Sequence, residues 1–134
     1  MRAQDFDALV ERCYARIPRR FRERLDNVAI MIEPEASPRQ LRAVGVRPGG
    51  TLLGLYEGRP LTVRHVSDGF VLPDRITIFQ NPLEQMARDE RHLEQLVYET
   101  LWHEIAHYFG MNERQVRAAE KKRALERLRK RARS

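Results

Sequence analysis

The sequence lacks the features that mark several common functional classes. It holds one cysteine, Cys13, so an internal disulfide is excluded, as is usual for proteins of a reducing compartment. The longest apolar run covers residues 28–32, which is too short to cross a membrane. The sequence has no internal repeat, no Gly-rich phosphate loop and no serine-nucleophile motif, so these patterns indicate neither a nucleotide site nor a serine hydrolase.

The first residues and the size of the chain set two further expectations. Residues 1–5 lead into no apolar signal region, so we expect a protein that is not secreted and resides in the cytoplasm. The chain has 134 residues, of which 42% are hydrophobic, and this suffices for one ordinary core. The sequence therefore predicts a single domain without a membrane segment.

Positive charge is concentrated near the C-terminus. Residues 114–134 hold ten Lys or Arg and two Glu, a net charge of +8, whereas the whole chain carries +6. The first 113 residues therefore carry a net charge of −2, which is +6 less +8. We divide the chain into one domain, residues 1–120, and a basic helical tail, residues 121–134.

Residues 103–107 read His-Glu-Ile-Ala-His, and this HExxH pattern is the strongest functional signal. Side chains four apart share one face of a helix, so His103 and His107 can both reach one zinc ion at about 2.0–2.1 Å. Glu104 then lies beside the metal, where its carboxylate can take a proton from zinc-bound water. We predict one zinc ion per chain, with His103 and His107 as ligands and Glu104 as the catalytic base.

The alternative is that the two histidines are ordinary residues of a buried helix. The surrounding positions are largely apolar: Leu93, Leu96, Val97, Leu101, Trp102, Ile105 and Phe109. A helix that is apolar over most of its circumference is buried. Two imidazoles and a carboxylate buried together need a partner, and a metal ion provides one, so this context favours zinc.

The third protein ligand has two candidates. Gly110 is suited to end the helix in a left-handed conformation and to turn the chain back. In zincins of the HExxHxxGxxH type the third ligand follows the second histidine by six residues, which here is Glu113. Glu113 is also placed to act as a first-turn acid of the next helix. The rival, Glu126, has an offset like that of thermolysin-like enzymes, but a continuous helix would carry it away from the metal.

Three stretches resemble the small bacterial zincin-like metallopeptidase family, a group of minimal metzincin-like proteins. They are residues 53–58 (LGLYEG), 72–79 (LPDRITIF) and 102–111 (WHEIAHYFGM), within a similarity that covers about residues 3–120. The resemblance implies an α+β domain, one zinc ion and an acidic third ligand at Glu113. It also implies a zinc-dependent peptidase, although no methionine follows Met111 to form the methionine turn of full metzincins.

Periodicity and turn residues predict the order of the elements. Helices are expected at residues 5–16, 19–25, 90–109 and 113–131, and another is expected to begin at Asn81. Asp89 and Asn112 are candidate caps. Strands are expected at residues 28–32, 51–56 and 75–79, with a weaker one at 60–67, and residues 39–50 are expected to form a loop. The expected fold is a small mixed sheet of three to four strands packed on the HExxH helix.

Two functions are compatible with these features. The first is a zinc-dependent metallopeptidase whose peptide or protein substrate lies extended along a sheet edge, with residues 75–79 as the candidate edge. The second is a weakly active or inactive zinc-binding module that binds nucleic acid or a ribonucleoprotein through its basic C-terminal helix. The tail has no aromatic residue, so base stacking is not indicated there, and a solvated helical extension explains it more simply.

Four further side chains are of types that can take part in catalysis. His65 and His92 lie far from the motif in sequence, and we interpret both as ordinary polar residues. The hydroxyls of Tyr56 and Tyr108 are candidates for stabilising an oxyanion, but a tyrosine in a strand or helix more often belongs to the core or its rim.

Overall fold

The computed structural model describes residues 1–25, 27–58, 74–110 and 113–133. Within the last segment it gives no side-chain description for residues 113, 115–117, 119, 120, 132 and 133. Four sequence-based predictions therefore lie outside the described part: the weak strand at 60–67, the role of His65, the cap at Asn112 and the side chain of Glu113.

The described segments form six helices and three strands. The helices are α1 (Ala3–Arg16), α2 (Arg19–Arg22), α3 (Pro38–Val44), α4 (Gln80–Met86), α5 (Glu90–Tyr108) and α6 (Glu113–Arg133). The strands are β1 (Val28–Glu33), β2 (Gly54–Glu57) and β3 (Asp74–Phe79). This is the predicted α+β arrangement. None of the described helices combines the length and apolar character that crossing a membrane requires.

The sheet is mixed, in the order β1-β3-β2. Strand β1 runs parallel to β3, with Ile30 opposite Ile76, and β2 runs antiparallel to β3, with Tyr56 also opposite Ile76. The prediction that residues 75–79 form the edge for substrate binding is therefore wrong. They belong to the central strand, which has neighbours on both sides. Among the described residues, β2 is the edge strand that packs on α5.

The burial of β3 explains its central place. All of its residues except Arg75 are buried, on both faces of the sheet. Strands covered on both faces read as nearly continuous apolar runs rather than as strict alternation. The core beneath the sheet is built mainly by α1 and α5, which pack on each other: Phe6, Leu9, Val10, Cys13, Val97, Leu101 and Ile105 are all buried.

Helix α3 was not predicted, because none of its side chains is buried and no apolar stripe marks it. It is stabilised locally by a reciprocal capping box. The Gln40 backbone N–H donates to Ser37 Oγ at 3.1 Å, and the Ser37 N–H donates to Gln40 Oε1 at 2.9 Å. Gly45 ends the helix with φ of +79°. The Ser-Pro-Arg-Gln sequence was the available signal.

The start of α4 also differs from the prediction. The helix begins at Gln80, and its N-cap residue is Phe79, which makes no side-chain capping bond. Asn81 lies inside the first turn, where its backbone N–H donates to the Pro34 carbonyl at 2.9 Å. That bond joins the helix to the segment after β1, so a tertiary contact overrides the local capping preference of asparagine.

Candidate metal and peptidase site

Helix α5, which carries the HExxH residues, is fixed at both ends. At its start the His92 N–H donates to Asp89 Oδ1 at 2.7 Å, and the Arg88 N–H donates to His92 Nδ1 at 3.0 Å. At its end Gly110 has φ of +80°, and its N–H donates to the His107 carbonyl at 2.9 Å. The predicted helix start at Asp89 and the left-handed glycine are both confirmed, and His92 has a capping role.

The structure brings His103, Glu104 and His107 together on α5. Each offers a ligand atom, and these atoms all lie within 4.8 Å of one another. The two imidazole rings are 4.7 Å apart between centroids, as expected for side chains one helical turn apart. Both histidines are half-buried, whereas Glu104 is buried. The donor set of two imidazoles and one carboxylate is one that zinc accepts.

The Glu104 carboxylate connects α5 to strand β2. Its Oε1 atom accepts a hydrogen bond from the Tyr56 backbone N–H at 2.9 Å and lies 3.3 Å from His107 Nδ1. The Phe79 N–H donates to the Leu53 carbonyl at 3.0 Å. Because backbone bonding alternates along an antiparallel pair, Gly54 and Tyr56 direct their backbone groups away from β3. Glu104 therefore occupies a donor on the outer edge of β2.

The close approach of β2 to α5 requires glycine at position 54. A Cβ atom there would lie 2.6 Å from Thr100 Cγ2 and 3.3 Å from Glu104 Cγ. The first distance is far shorter than an ordinary contact, so any side chain would force strand and helix apart. Glycine inside a strand often marks such an approach of another element. Gly54 thus keeps the Tyr56 N–H within reach of Glu104.

A cavity of about 320 Å³ opens between β2 and α5 beside these residues. Its lining comprises Leu53, Gly54, Leu96, Glu99, Thr100, His103 and Glu104. The apolar side chains of Leu53 and Leu96 and the backbone of Gly54 line the cavity beside His103 and Glu104. The cavity is therefore accessible to a ligand that would contact His103 and Glu104 at once.

Buried polar contacts hold β2 from its other end. The Tyr56 hydroxyl donates to Asp74 Oδ2 at 2.7 Å, and Asp74 is only 2% exposed. Gly58 has φ of +147°, and a Cβ atom there would overlap the Asp74 carboxylate. Glycine is therefore required at this turn for both conformation and space. These contacts fix Tyr56, whose backbone N–H meets Glu104.

The hydroxyl groups of Tyr56 and Tyr108 contact other residues, and Glu126 lies elsewhere. The Tyr108 hydroxyl donates to the Arg24 carbonyl at 3.3 Å, and Tyr108 is buried. The Tyr56 hydroxyl is used by Asp74, so these contacts do not support an oxyanion role for either tyrosine. Glu126 lines a different cavity, beside Tyr98.

Sequence reasoning missed the contribution of β2 to the site. Gly54, Thr100 and the Tyr56 backbone N–H shape the surroundings of Glu104, although none belongs to the HExxH pattern. The glycine within residues 53–58 was a usable signal, because an isolated glycine in a strand pattern indicates close backbone approach. Asp74 gave no comparable signal, since its burial arises from tertiary packing.

Comparison with known proteins agrees with this geometry. The model of a family described as zincin-like metallopeptidases matches residues 25–123. A solved structure, described as a conserved hypothetical protein from Thermus thermophilus, is similar with a TM-score of 0.54 and 25% identity. That similarity covers 81% of this chain and 94% of the other. A search of curated proteins finds no match. Because the family match spans most of the chain and includes His103, Glu104 and His107, the protein belongs to the zincin-like metallopeptidase family.

Proposed function

We propose that the protein is a zinc-dependent metallopeptidase that hydrolyses peptide bonds. The observation that carries this proposal is the cluster of His103, Glu104 and His107, with ligand atoms within 4.8 Å of one another beside an edge strand. The family assignment supports the reaction class. A site with three protein ligands leaves a coordination position for chemistry, whereas structural zinc sites use all four.

His103 and His107 would hold the metal, and Glu113 is the proposed third ligand. The histidines fit, because they share one face of α5 and their ligand atoms lie within 4.8 Å of each other. Glu113 follows His107 by six residues, which is the spacing of the third ligand in zincins of the HExxHxxGxxH type. When bound, zinc supplies Lewis-acid polarisation of a carbonyl and lowers the pKa of water.

Glu104 is the proposed general base. Its carboxylate is buried beside both histidines and is held by the Tyr56 N–H at 2.9 Å, so its position is fixed before substrate arrives. A carboxylate in hydrogen-bonding reach of the attacking water can take its proton and then deliver it to the leaving amine. General acid–base catalysis of this kind contributes about 10²–10⁴-fold to the rate.

The outer edge of β2 is the proposed substrate-binding edge, in place of residues 75–79. Gly54 directs its backbone groups away from β3 and lines the cavity next to His103. An extended peptide can pair with such an edge through main-chain hydrogen bonds. Pairing at this position would bring the peptide backbone past the three motif side chains.

The test is Glu104→Gln, assayed with a proteome-derived peptide library read by mass spectrometry after zinc loading. Glutamine keeps an acceptor for the Tyr56 N–H and lacks a basic carboxylate. We expect this variant to fold, to keep its zinc and to lose about 10²–10⁴-fold of the cleavage rate. Glu94→Gln is the matched control, because Glu94 is on the same helix and pairs with Arg12 at 3.6 Å instead.

Three results would overturn parts of the proposal. Full cleavage activity in zinc-loaded Glu104→Gln would remove Glu104 as the base. Loss of zinc from that variant would place Glu104 among the metal ligands instead. A zinc-loaded wild type that cleaves no peptide in the library would contradict the peptidase assignment itself.

A further inference from the structure

A second cavity, of about 500 Å³, lies between α6, α5 and the end of α1. We call it the basic cleft, and its lining comprises Arg16, Tyr98, Arg123, Glu126, Arg127, Arg129 and Lys130. It is on the other side of α5 from the motif residues. From the helical repeat, Tyr98 is about 140° around α5 from His103 and about 180° from His107. The cleft is therefore separate from the proposed peptidase site.

The residues of α6 that line the basic cleft share one helical face, on which Arg123 is half-buried and the others are exposed. Arg123, Glu126, Arg127 and Lys130 follow the i, i+3, i+4, i+7 spacing of one helical face, and all four line the cleft. A helix that only packs against a body presents an apolar face to it. Here Leu125 and Leu128 are 46% and 60% exposed instead. The sequence of α6 therefore places charge where packing alone would favour apolar side chains.

The cleft gathers five cationic side chains and one carboxylate, Glu126. Like charges within one concave surface repel each other and raise the local potential, which attracts anions. Arg123 and Lys130 are seven residues apart, or about 10 Å along the helix axis. One strand of a nucleic acid presents about three phosphates over that length. The arrangement suits an anion with regularly spaced charges.

An aromatic residue from the body orders the arginines of the cleft. The Arg16 guanidinium carbon lies 4.4 Å from the centroid of the Tyr98 ring, and that of Arg123 lies 5.8 Å from it. Arg123 also lies over Trp102, at 4.2 Å from the ring centroid. Such contacts hold guanidinium groups over ring faces. Nucleic-acid bases stack on aromatic rings and on guanidinium planes, so the cleft offers stacking as well as charge.

We propose that the basic cleft binds single-stranded nucleic acid, with phosphates at Arg127 and Lys130 and a base stacked at Tyr98 and its arginines. The size of the cleft favours one strand, because about 500 Å³ is the volume of a small-molecule site. A duplex would have to bind outside it. Acidic peptides offer carboxylates but no flat base to stack. Arg16, Arg127, Arg129 and Lys130 lie outside the family-matched residues 25–123, whereas Tyr98 and Arg123 lie within them.

The test measures fluorescence anisotropy of 5′-labelled twelve-nucleotide oligo-dT and oligo-U, with a twelve-base-pair duplex and poly-glutamate as competitors. Arg127→Glu with Lys130→Glu reverses two charges inside the cleft. Lys121→Glu with Lys122→Glu makes the same charge change on the same helix, at exposed positions that do not line the cleft. We expect at least about a tenfold loss of affinity for the first pair and at most about threefold for the second.

A third variant separates stacking from charge. Tyr98→Leu keeps an apolar side chain of similar reach and removes the ring, so it should weaken oligonucleotide binding by about 5- to 100-fold. Its affinity for inorganic polyphosphate should fall less than its affinity for oligonucleotide, because polyphosphate has no base and loses only the ordering of Arg16 and Arg123 by the ring. Trp102 is the single tryptophan of the chain and contacts Arg123, so its emission should change when oligonucleotide binds.

The comparison between oligo-dT and oligo-U identifies the source of the strand, and binding of either one supports the proposal. Equal losses in the two charge-reversed variants would overturn it, because they would indicate diffuse attraction by the whole helix. Competition by duplex or poly-glutamate as effective as that by unlabelled oligonucleotide would also overturn it. So would an absence of oligonucleotide binding at low salt.

Discussion

The two sides of α5 carry polar clusters that differ in the rigidity of their side chains. On the motif side, two histidines and a glutamate are held by the helix repeat and by one backbone N–H of β2, so short and rigid connections set their distances. On the cleft side, long cationic side chains from α6 and α1 converge on one tyrosine. Rigid placement suits a metal and a proton transfer, which tolerate little error in position. Long flexible cations suit a polyanion, whose binding depends on charge more than on exact distance.

We therefore expect substitutions on one side of α5 to leave ligand binding on the other side unchanged. Sites that share no partner usually contribute additively to stability and binding. The clearest test uses the proposed zinc ligands. His103→Ala or His107→Ala should abolish zinc retention in elemental analysis after reconstitution, because each removes one of the two imidazoles. Oligonucleotide affinity should stay within about twofold of wild type if the two sites are additive.

His92→Ala is the control for the histidine variants. His92 is on the same helix, but its Nδ1 atom accepts from the Arg88 N–H at the helix start. This variant should keep stoichiometric zinc and lose only a little stability. Zinc loss equal to that of His107→Ala would show that the metal is held elsewhere.

A second prediction compares the two glutamates that the sequence offers as third zinc ligand, Glu113 and Glu126. Glu113→Ala should weaken zinc affinity by at least about tenfold in a competition titration with a chelating dye, because it removes the proposed carboxylate ligand. Glu126→Ala should leave zinc affinity unchanged, since Glu126 lines the basic cleft. It should also strengthen oligonucleotide binding slightly, because it removes the one carboxylate among five cations. The reverse order in the zinc titration would assign the third ligand to Glu126.

A third prediction concerns the contact between β2 and α5. Gly54→Ala should lower the free energy of unfolding by about 1–3 kcal/mol, since its Cβ would overlap the Thr100 methyl carbon at 2.6 Å. Adding Thr100→Ser removes that methyl group and should restore part of the loss in urea denaturation. A double variant as unstable as Gly54→Ala alone would show that Thr100 is not the obstacle. Oligonucleotide binding should be unaffected by either change.

The smallest expected effect concerns Cys13, which joins α1 to α5 through a weak bond from its thiol to the Glu94 carbonyl at 3.5 Å. Burial, with a smaller contribution from the Glu94 charge, raises the pKa of the Cys13 thiol from 9.0 to about 11. The thiol should therefore resist Ellman's reagent at pH 8 in the folded protein and react fully in urea.

The sign of the linked stability follows from that shift. Folding raises the pKa of the Cys13 thiol, so the neutral thiol contributes to the free energy of unfolding. That contribution is complete below pH 9 and is lost as pH rises through 11. Cys13→Ala should remove that part of the alkaline stability loss. Rapid labelling of native protein at pH 8 would mean that α1 separates from α5, which would also displace Arg16 from the basic cleft.

The sequence predicted the parts of the fold that local periodicity determines. The apolar pattern around His103 predicted a long helix, and Asp89 and Gly110 marked its two ends, as the structure confirms. The strand at residues 75–79 was found, but its position in the sheet was not, because strand order depends on pairing with distant residues. Helix α3 was missed since its stability comes from a capping box rather than from burial.

In the candidate sites, too, local sequence predicted some features, whereas others depend on contacts between distant residues. The spacing of His103 and His107 is a local property, so their proximity followed from the helix repeat. The hydrogen bond between Tyr56 and Glu104 joins residues 48 positions apart, which no local pattern predicts. Likewise, the tail has no aromatic residue of its own, and its arginines meet Tyr98 only because α6 folds against α5.

The hydrogen bond from Tyr56 to Glu104 also bears on how copies of this protein behave toward one another. An open strand edge is a template for pairing with another chain, and proteins commonly protect such edges with charged side chains. By occupying the outward N–H of Tyr56, the Glu104 carboxylate places a buried charge on the edge of β2. Replacing Glu104 with alanine would expose that donor and favour strand-to-strand aggregation, whereas glutamine would still cover it. Glu104 would thus limit pairing between copies of the protein at Tyr56, while the backbone groups of Gly54 stay available to the proposed substrate.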